Sequence, residues 1–478
     1  MAEREAVVVG AGPNGLSAAI TLARAGWRVV VYEAAEQVGG GSRTQPLTEP
    51  GFLHDVCSTA HPLGAASPVF RKWPLEEHGL EWIHAPIPLA HALDGGESVA
   101  LHRSVEETAA GLGADGRWWA ATIGRYSRHF TGQMEALLSG RLPPAPFSLL
   151  RLGAASLRSA RGLAMDLFEG RRARALFAGC AAHSALPLHA MGSAAFGLVL
   201  AAAGHSVGWP LARGGSVAIA EALASYLRSL GGEIVTGRRI ESLREAGQAG
   251  RRSVPQAVLL DVTPHNLLRL AGDDLGPLER GRLRRYRYGP AAFKVDWALS
   301  GPVPWSSPDC ARAGTVHLGG TLEEIALAES APWQDRVAAR PFLLVAQPSV
   351  FDRSRAPEGR HVAWTYCHVP HGWSTDEPVE AIEAQVERFA PGFKDRIIAR
   401  SVMGPRALEL YNSNNVGGDV YGGALDLAQL LERSTWRCKP RRIRRPEIFL
   451  CSSSTLPGPG VHGMCGYLAA RAVLARYR

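Results

Sequence analysis

The chain opens with two apolar runs separated by a segment of helical periodicity. Residues 6–10 and 28–33 are almost entirely apolar, and residues 15–26 repeat apolar positions at the spacing of one helix face. This order predicts a buried strand, a helix and a second buried strand. We therefore expect a compact βαβ unit at the start of the fold.

Helical patterns dominate the long stretch that follows. Residues 105–140 and 145–204 are mainly of helical type, and a cluster of prolines marks the change between them. The segment 210–240 has a glycine-led turn, an amphipathic helix, a Gly-Gly stop and a short strand, and 257–264 begins with another apolar run. These two segments predict a return to the sheet that the βαβ unit begins.

The pattern changes again after residue 285. Runs such as AAFKVDWAL and HVAWTYCHV alternate in polarity, carry aromatic residues and are separated by turn residues, which favours an antiparallel sheet. Residues 377–400 predict an amphipathic helix, and 447–476 predict a strand, a Gly-rich turn and a helix.

These elements predict an α/β fold with an additional antiparallel sheet. The 478 residues exceed what one hydrophobic core usually serves, so we expect a discontinuous Rossmann-like domain and a discontinuous α+β domain. The predicted ranges are 1–85, 208–275 and 440–478 for the first domain, 86–207 for a helical insertion and 276–439 for the second domain.

Composition and charge narrow the functional classes. The chain is 46% hydrophobic and 20% charged, which is typical of a soluble globular protein. Its net charge of +8 comes with arginines concentrated in 151–174 and 437–445, without the interleaved aromatics that stack on bases. We expect no nucleic-acid binding; a solvated helix face explains residues 151–174, with peripheral contact to an anionic membrane as the second interpretation.

The remaining composition predicts a cytoplasmic protein. The seven cysteines are scattered singly, the N-terminal residues enter a strand without a basic and apolar leader, and no apolar run reaches the roughly 18 residues of a membrane span. The nearest such run, 191–204, is rich in Gly and Ala and predicts a buried helix.

The glycines after the first strand carry the clearest chemical signal. Gly10 permits a tight turn, Gly12 lets backbone N–H groups approach a pyrophosphate, and Gly15 allows close packing of helix and strand. Glu33 ends the second strand at the distance where a carboxylate accepts hydrogen bonds from an adenosine ribose. Together they predict a dinucleotide site, which also includes Pro13 and Asn14.

The residues beyond Glu33 carry a family resemblance. Gly39, Gly40 and Arg43 in EQVGGGSRTQ form a GGxxR motif that resembles the FAD-binding signature of the flavin amine oxidase and phytoene desaturase superfamily. The closing segment PEIFLCSSSTLPGPGVHGMCGYLAARAVL is similar to the motif that ends these proteins, and the strand near Ile240 is similar to their adenine-proximal element. The resemblance is greatest to the phytoene-desaturase-like NAD(P)/FAD-dependent oxidoreductases.

This resemblance implies non-covalent FAD in the first domain and a substrate in the second. It adds to the cofactor-binding candidates Gly40, Gly41, Ser42, Arg43, Ile240, Gly460, Val461, His462 and Gly463. It also implies that Lys294 corresponds to an amine-oxidase lysine that holds a water beside the flavin.

Further catalytic candidates come from the second predicted domain. His317, Tyr366 and His368 lie on predicted strands with apolar neighbours, where a histidine can act as a base. Asp419 and Tyr421 lie among glycines that permit close approach to a flavin. His368 and His371 lack a third nearby ligand, so we expect no metal site.

The sequence therefore predicts an FAD-dependent oxidoreductase. We expect it to remove hydrogen from a C–C or C–N bond of a mostly apolar small molecule, with O₂ or another electron acceptor. A redox-neutral flavin-dependent isomerase and a flavin-binding protein with a structural or assembly role are the alternatives.

Overall fold

Two main sheets organise the chain in a computed structural model, which describes residues 4–139, 146–251, 254–272, 274–433, 437–438 and 447–477. The strands are, in chain order, β1 (Glu5–Val9), β2 (Arg28–Tyr32), β3 (Thr44–Gln45), β4 (His54–Asp55), β5 (Trp82–Ile83), β6 (Ile87–Ala92), β7 (Ser98–Leu101), β8 (Leu211–Ala212), β9 (Glu233–Val235), β10 (Ala257–Leu260), β11 (Ala291–Leu299), β12 (Ala313–Leu318), β13 (Leu343–Ala346), β14 (His361–Val369), β15 (Ile397–Met403), β16 (Arg437–Cys438) and β17 (Glu447–Leu450).

The helices alternate with these strands and also form a separate helical layer. They are α1 (Pro13–Ala23), α2 (Pro62–Ala66), α3 (Val105–Gly111), α4 (Gly116–Ser127), α5 (Phe130–Ser139), α6 (Pro146–Ser156), α7 (Ala160–Leu167), α8 (Arg171–Ala182), α9 (Ala194–Ser206), α10 (Val217–Ser229), α11 (Leu243–Ala246), α12 (Pro264–Ala271), α13 (Pro277–Arg284), α14 (Pro308–Arg312), α15 (Leu322–Ser330), α16 (Pro378–Phe389), α17 (Pro405–Tyr411), α18 (Leu427–Glu432) and α19 (Met464–Arg476).

The first sheet collects strands from both ends and the middle of the chain. Its order is β16-β17-β10-β1-β2-β9, and all pairs are parallel except the edge pair β16–β17. In the centre, Val8 pairs with Val31 on one side and Leu259 on the other. Helices α1, α10 and α19 pack on one face through a continuous apolar core. The Rossmann-like architecture expected from the sequence is confirmed.

The second sheet is mixed rather than purely antiparallel. Its order is β15-β11-β14-β13-β12-β6-β7, and the pair β12–β6 is parallel. Strands β6 and β7 lie within residues 86–207, so the stretch predicted as a helical insertion begins with two strands, and its helices start at Val105. Their short apolar runs become strands because β12, more than 200 residues away, offers an edge to pair with.

A second difference concerns residues 377–400. The predicted helix is α16, but it ends at Phe389, and residues from Ile397 onward form edge strand β15. Pro391 and Gly392 interrupt the helix, since neither residue suits a helix interior.

The described helices contain none that is long and apolar enough to cross a bilayer. The run 191–204 contributes to α9, whose residues pack in the core formed with α4 and α8, as the sequence predicts for a buried helix.

Candidate functional site

A continuous cavity of about 730 Å³ connects the two sheets. At one end it is lined by the turn after β1 and by residues that follow β2 and β10, where the carboxyl ends of the parallel strands meet. At the other end it is lined by Lys294, Tyr366 and Tyr421. A cavity at the carboxyl edge of a doubly wound sheet is where such folds bind ligands.

The glycine turn at this edge leaves no space for side chains. Gly10 has a φ of +104°, which favours glycine. A Cβ atom on Gly15 would lie 2.0 Å from the carbonyl oxygen of Gly10, and one on Gly40 would lie 3.2 Å from the Cα atom of Gly12. The backbone is therefore exposed to the cavity at the amino end of α1, a position that favours anions.

Glu33 is anchored beside this turn. Its carboxylate accepts hydrogen bonds from the backbone N–H groups of Ala11 (2.7 Å) and Ala35 (2.9 Å), and from the Nη2 atom of Arg43 (3.1 Å). The Arg43 guanidinium lies over the Tyr411 ring, 5.4 Å from its centroid. A carboxylate has about four acceptor positions, so Glu33 retains capacity for a further donor.

Asp261, which was not among the predicted site residues, belongs to the same turn. Its Oδ2 atom accepts a hydrogen bond of 3.0 Å from the backbone N–H of Gly15. Burial raises the pKa of this carboxyl from 3.8 to about 7, with Glu33 adding to the effect. An acid directly after an apolar strand that pairs with β1 was the available signal, because it places the side chain at the ligand-binding edge.

The C-terminal turn closes the same region. Gly460 and Val461 line the cavity, whereas His462 points into the protein. Its Nδ1 atom accepts a hydrogen bond of 3.1 Å from the Met464 backbone N–H, and burial lowers its pKa to about 4. At Gly463 a Cβ atom would lie 2.1 Å from the Oγ atom of Ser17, so this glycine permits α19 to pack on α1.

Most of the predicted cofactor residues meet at the cavity. Those that line it are Gly10, Gly12, Pro13, Asn14, Glu33, Gly40, Gly41, Ser42, Arg43, Ile240, Gly460 and Val461. Gly15, His462 and Gly463 are not among the described lining residues and shape the packing behind it.

The second sheet brings three of the predicted catalytic residues into one row. Lys294 pairs with Tyr366 across β11 and β14, Tyr366 pairs with Leu344, and Leu344 pairs with His317. Residues paired directly across neighbouring strands face the same side of a sheet. Lys294, Tyr366 and Leu344 all line the cavity.

Lys294 is buried, with 2% of its surface exposed, and forms an ion pair with Asp296 on the same strand. Asp296 is also fully buried and lies 3.4 Å from the Nδ1 atom of His54. The lysine therefore enters the cavity wall as half of an ion pair, and its Nζ atom lies 5.9 Å from the centroid of the Trp364 ring.

Tyr421 and His368 are joined in a buried hydrogen-bonded chain. The Nε2 atom of His368 lies 2.8 Å from the Tyr421 hydroxyl, and its Nδ1 atom lies 2.7 Å from Oε2 of Glu329. Tyr366 is hydrogen-bonded to Tyr421, and burial raises the pKa of Tyr366 to about 12 and that of Tyr421 further above its usual value. Both phenols therefore keep their protons near neutrality.

Glu329 was not among the predicted site residues. It lies on α15 in the sequence LEEIALAES and is 2% exposed, although the two other acids of this segment are on the helix's first turn. Its position opposite His368 follows from the packing of α15 on the sheet, and we find no local sequence signal for it.

His317 and Asp419 lie behind the cavity wall. The Nε2 atom of His317 is 2.9 Å from that of His183, and burial holds the His317 pKa well below 6.5. The Asp419 carboxylate accepts hydrogen bonds of 2.7 Å from the backbone N–H groups of Gly289 and Tyr421. Neither residue is among the described lining residues; Asp419 holds the turn that carries Tyr421.

Comparisons with known proteins agree with this architecture. A family model described as an NAD(P)-binding Rossmann-like domain matches residues 8–73. The chain is 26% identical to the pyridine nucleotide-disulfide oxidoreductase domain-containing protein 2 of Rattus norvegicus, over 98% of this chain and 93% of the rat protein. It is 25% identical to the neurosporene-forming phytoene desaturase of Cereibacter sphaeroides, over 98% of this chain and 94% of that protein.

The fold is also similar to that of a solved amine oxidase. A redesigned triple mutant of putrescine oxidase matches with a TM-score of 0.62 and 15% identity, over 99% of each chain. The glycine turn, the two sheets and the cavity between them are thus found in a chain that is similar in sequence to desaturases and in fold to putrescine oxidase. We conclude that this protein is an oxidoreductase of the flavin type, similar in sequence to phytoene desaturases and in fold to a putrescine oxidase.

Proposed function

We propose that the protein is an FAD-dependent oxidoreductase that removes hydrogen from a C–C or C–N bond of a mostly apolar small molecule. O₂ or another molecule would then accept the electrons. One observation carries the proposal: a single cavity extends from the glycine turn and Glu33 to Lys294, Tyr366 and Tyr421. A dinucleotide held at the first end can therefore reach a substrate at the second.

The residues at the first end fit FAD. The exposed backbone at Gly12 and Gly40 suits the pyrophosphate, Glu33 has acceptor capacity for a ribose hydroxyl, and Arg43 supplies positive charge. Asn14 is 8% exposed, and its buried Oδ1 atom has no hydrogen-bond partner among the described residues. A buried polar atom without a partner is costly, so a ligand at this position would satisfy it.

The second end is suited to a mostly apolar molecule. Phe196, Leu200, Trp209 and Leu344 form apolar parts of the wall. The polar groups of this end include those of Lys294, Tyr366, Tyr421, Thr315, Trp364 and His183. When bound, FAD supplies a two-electron acceptor. The protein's part is to exclude water, orient the reacting bond and hold the proton that is released.

The visible absorption of the purified protein tests the proposal. We expect flavin absorption bands in the protein as isolated or after addition of FAD, and release of unmodified FAD on denaturation because the binding is non-covalent. Tyr467→Phe, which alters a half-buried residue of α19, serves as a matched variant that keeps the flavin. A colourless protein that takes up no FAD would contradict the proposal.

The hydrogen-bonded chain from Tyr421 to Glu329 also favours a second candidate, a redox-neutral isomerase that moves a double bond with flavin present. Such a reaction needs a group that takes and returns a proton, which this chain of side chains provides. A product with the same mass as the substrate would support the isomerase, whereas a loss of two hydrogens would support the oxidoreductase. A role in structure or assembly would instead leave flavin binding necessary and turnover dispensable.

We also propose peripheral contact with an anionic membrane through α6. Phe147 and Leu150 are 81% and 72% exposed, and Arg151 lies beside them. Exposed apolar and basic residues on one helix favour the surface of a negatively charged bilayer. The protein should co-sediment with phosphatidylserine vesicles, and the Leu150→Ser variant should not. Neither protein should co-sediment with phosphatidylcholine vesicles. Equal sedimentation of the protein and the variant would contradict this contact.

A further inference from the structure

We propose that Tyr421, His368 and Glu329 form a proton relay that selects substrates with an O–H or N–H donor on the carbon to be oxidised. The substrate class is therefore an alcohol or an amine, with the –OH or –NH2 group on a carbon that carries hydrogen, rather than a hydrocarbon. This inference rests on the proposed function, because it assumes a flavin as the electron acceptor.

The relay starts from Glu329 as a carboxylate and His368 as a neutral imidazole. Since a carboxylate can only accept, the Nδ1–H of His368 then donates to Glu329, and the Nε2 atom is left as an acceptor. The Tyr421 hydroxyl must then donate to His368. Its oxygen then accepts the hydrogen bond from the Tyr366 hydroxyl, and the second lone pair can accept one from a substrate in the cavity that both tyrosines line.

The side chains of the relay are shielded from solvent, which suits them to proton transfer. Glu329 is 2% exposed and His368 is 3% exposed, so the carboxylate faces the imidazole without competing water. A proton that reaches His368 forms an imidazolium beside a buried carboxylate, and such a pair is stabilised by the low local dielectric. Because the phenol loses one proton as it gains another, Tyr421 never carries a charge.

The reaction balances for both substrate types. With an alcohol, the O–H proton would pass to Tyr421 while the Tyr421 proton passes to His368, and a C=O bond would form as the C–H hydrogen leaves with its electron pair. With a protonated amine, the relay would first take one N–H proton, and a C=N bond would form as the C–H hydrogen leaves with its electron pair. In both cases FAD, held by the residues around Glu33 and Arg43, would supply the two-electron acceptor.

The charges around the cavity agree with this class. Among the described lining residues, the charged ones other than Lys294 lie in the segments around Glu33 and Arg43 or between residues 238 and 269, at the dinucleotide end. Lys294 is neutralised by Asp296. Recognition at the substrate end therefore falls to uncharged groups such as the phenols of Tyr366 and Tyr421, which bind hydrogen-bonding groups.

Four probes with one ring and different groups test the relay. Isothermal titration of the flavin-loaded protein with cycloheptanol, cycloheptylamine, cycloheptanone and cycloheptane measures binding without turnover. We expect the alcohol and the amine to bind about tenfold more tightly than the ketone and the hydrocarbon, the difference of about one hydrogen bond. Titrations of the amine in buffers with different ionisation enthalpies should also show proton transfer on binding.

Variants separate the relay from general packing. Tyr421→Phe should abolish the preference for the alcohol and the amine. Glu329→Gln should reduce this preference most for the amine, because the imidazolium of His368 loses its counter-charge. Tyr467→Phe should leave it unchanged. Thermal unfolding and the flavin content show whether each variant is folded, and Glu329→Gln keeps the shape of the side chain if Tyr421→Phe does not fold.

Two results would overturn the relay. One is a protein that binds FAD and has equal affinity for the four probes; the other is a folded Tyr421→Phe variant that keeps the preference. Both leave the proposed function intact. A protein that takes up no FAD contradicts the proposed function instead, and the same titrations then decide the relay on the unloaded protein.

Discussion

The Oδ2 atom of Asp261 accepts a hydrogen bond of 3.0 Å from the backbone N–H of Gly15, across 246 positions of sequence. A carboxyl group thus occupies the amino end of α1, where the helix dipole and the exposed backbone favour an anion. Because burial raises the pKa of this carboxyl to about 7, its charge changes near neutrality. The charge beside the glycine turn therefore depends on pH.

Asp261 makes FAD binding depend on pH. Ionised Asp261 repels a pyrophosphate, so the affinity for FAD should fall as the pH rises through about 7. Asp261→Asn should remove this dependence while keeping an acceptor for Gly15. Fluorescence titration of the unloaded protein with FAD measures the effect, and an identical pH profile in the variant would contradict it.

The same carboxyl affects stability with a definite sign. Between pH 3.8 and about 7, Asp261 is protonated in the folded chain and ionised in the unfolded one, so the folded state binds more protons. This group's contribution to the free energy of unfolding therefore decreases as the pH rises across this window. Near pH 7, the Asp261→Asn variant should have a higher free energy of unfolding in urea, relative to the original protein, than it has near pH 4.

Gly15 should tolerate no side chain. In Gly15→Ala the new Cβ atom would lie 2.0 Å from the Gly10 carbonyl oxygen, so the backbone must move. We expect the free energy of unfolding to fall by about 1–3 kcal/mol and the flavin content to drop. Gly153→Ala is the control, since no atom lies within 4 Å of its Cβ position, and it should leave stability unchanged or raise it by up to ~1 kcal/mol.

Lys294 has a structural role that must be separated from any role at the flavin. Lys294→Met leaves the buried carboxylate of Asp296 without its partner, which typically costs about 3–5 kcal/mol of folding stability. The double variant Lys294→Met, Asp296→Asn should recover most of this loss. If Lys294 also assists the reaction of reduced flavin with O₂, the double variant will be stable but slow in stopped-flow reoxidation; normal reoxidation would exclude that role.

Buried histidines should destabilise the protein in acid. Burial lowers the pKa of His91 and His205 to about 4 and that of His183 to about 3, so the unfolded chain binds more protons below its ordinary pKa of 6.5. Their contribution to stability is present above pH 6.5 and is lost as the pH falls toward these values. Urea unfolding of His91→Gln should show a weaker dependence in this range, and exposed His265→Gln should show no change.

The dinucleotide end of the site was largely predictable because its requirements are local. A tight turn, a helix amino end and an acid at the end of the next strand lie within one βαβ unit. The spacing of the glycines predicts the turn and the start of the helix, and the position of Glu33 predicts the acid. Gly10, Gly12, Glu33 and Arg43 all line the cavity. Their roles toward FAD remain predictions that the flavin measurements test.

Only the tertiary structure decided which residues form the substrate end of the cavity. The alternation of β14 predicts that Tyr366 and His368 share a face, but only the strand register places Lys294 opposite Tyr366. His317 belongs to the same row, and only the packing of α8 at Gly179 covers it. Strand β6 likewise exists as part of the sheet because distant β12 pairs with it.

By itself, then, the sequence determined the elements of the first sheet, the glycine turn and the residue types available for chemistry, since these follow from local conformation and periodicity. Only the tertiary structure joined Asp261 to Gly15 and Glu329 to His368. The physical reason is that a buried polar group must find its partner within hydrogen-bond distance, and the packing of distant elements decides which partner that is.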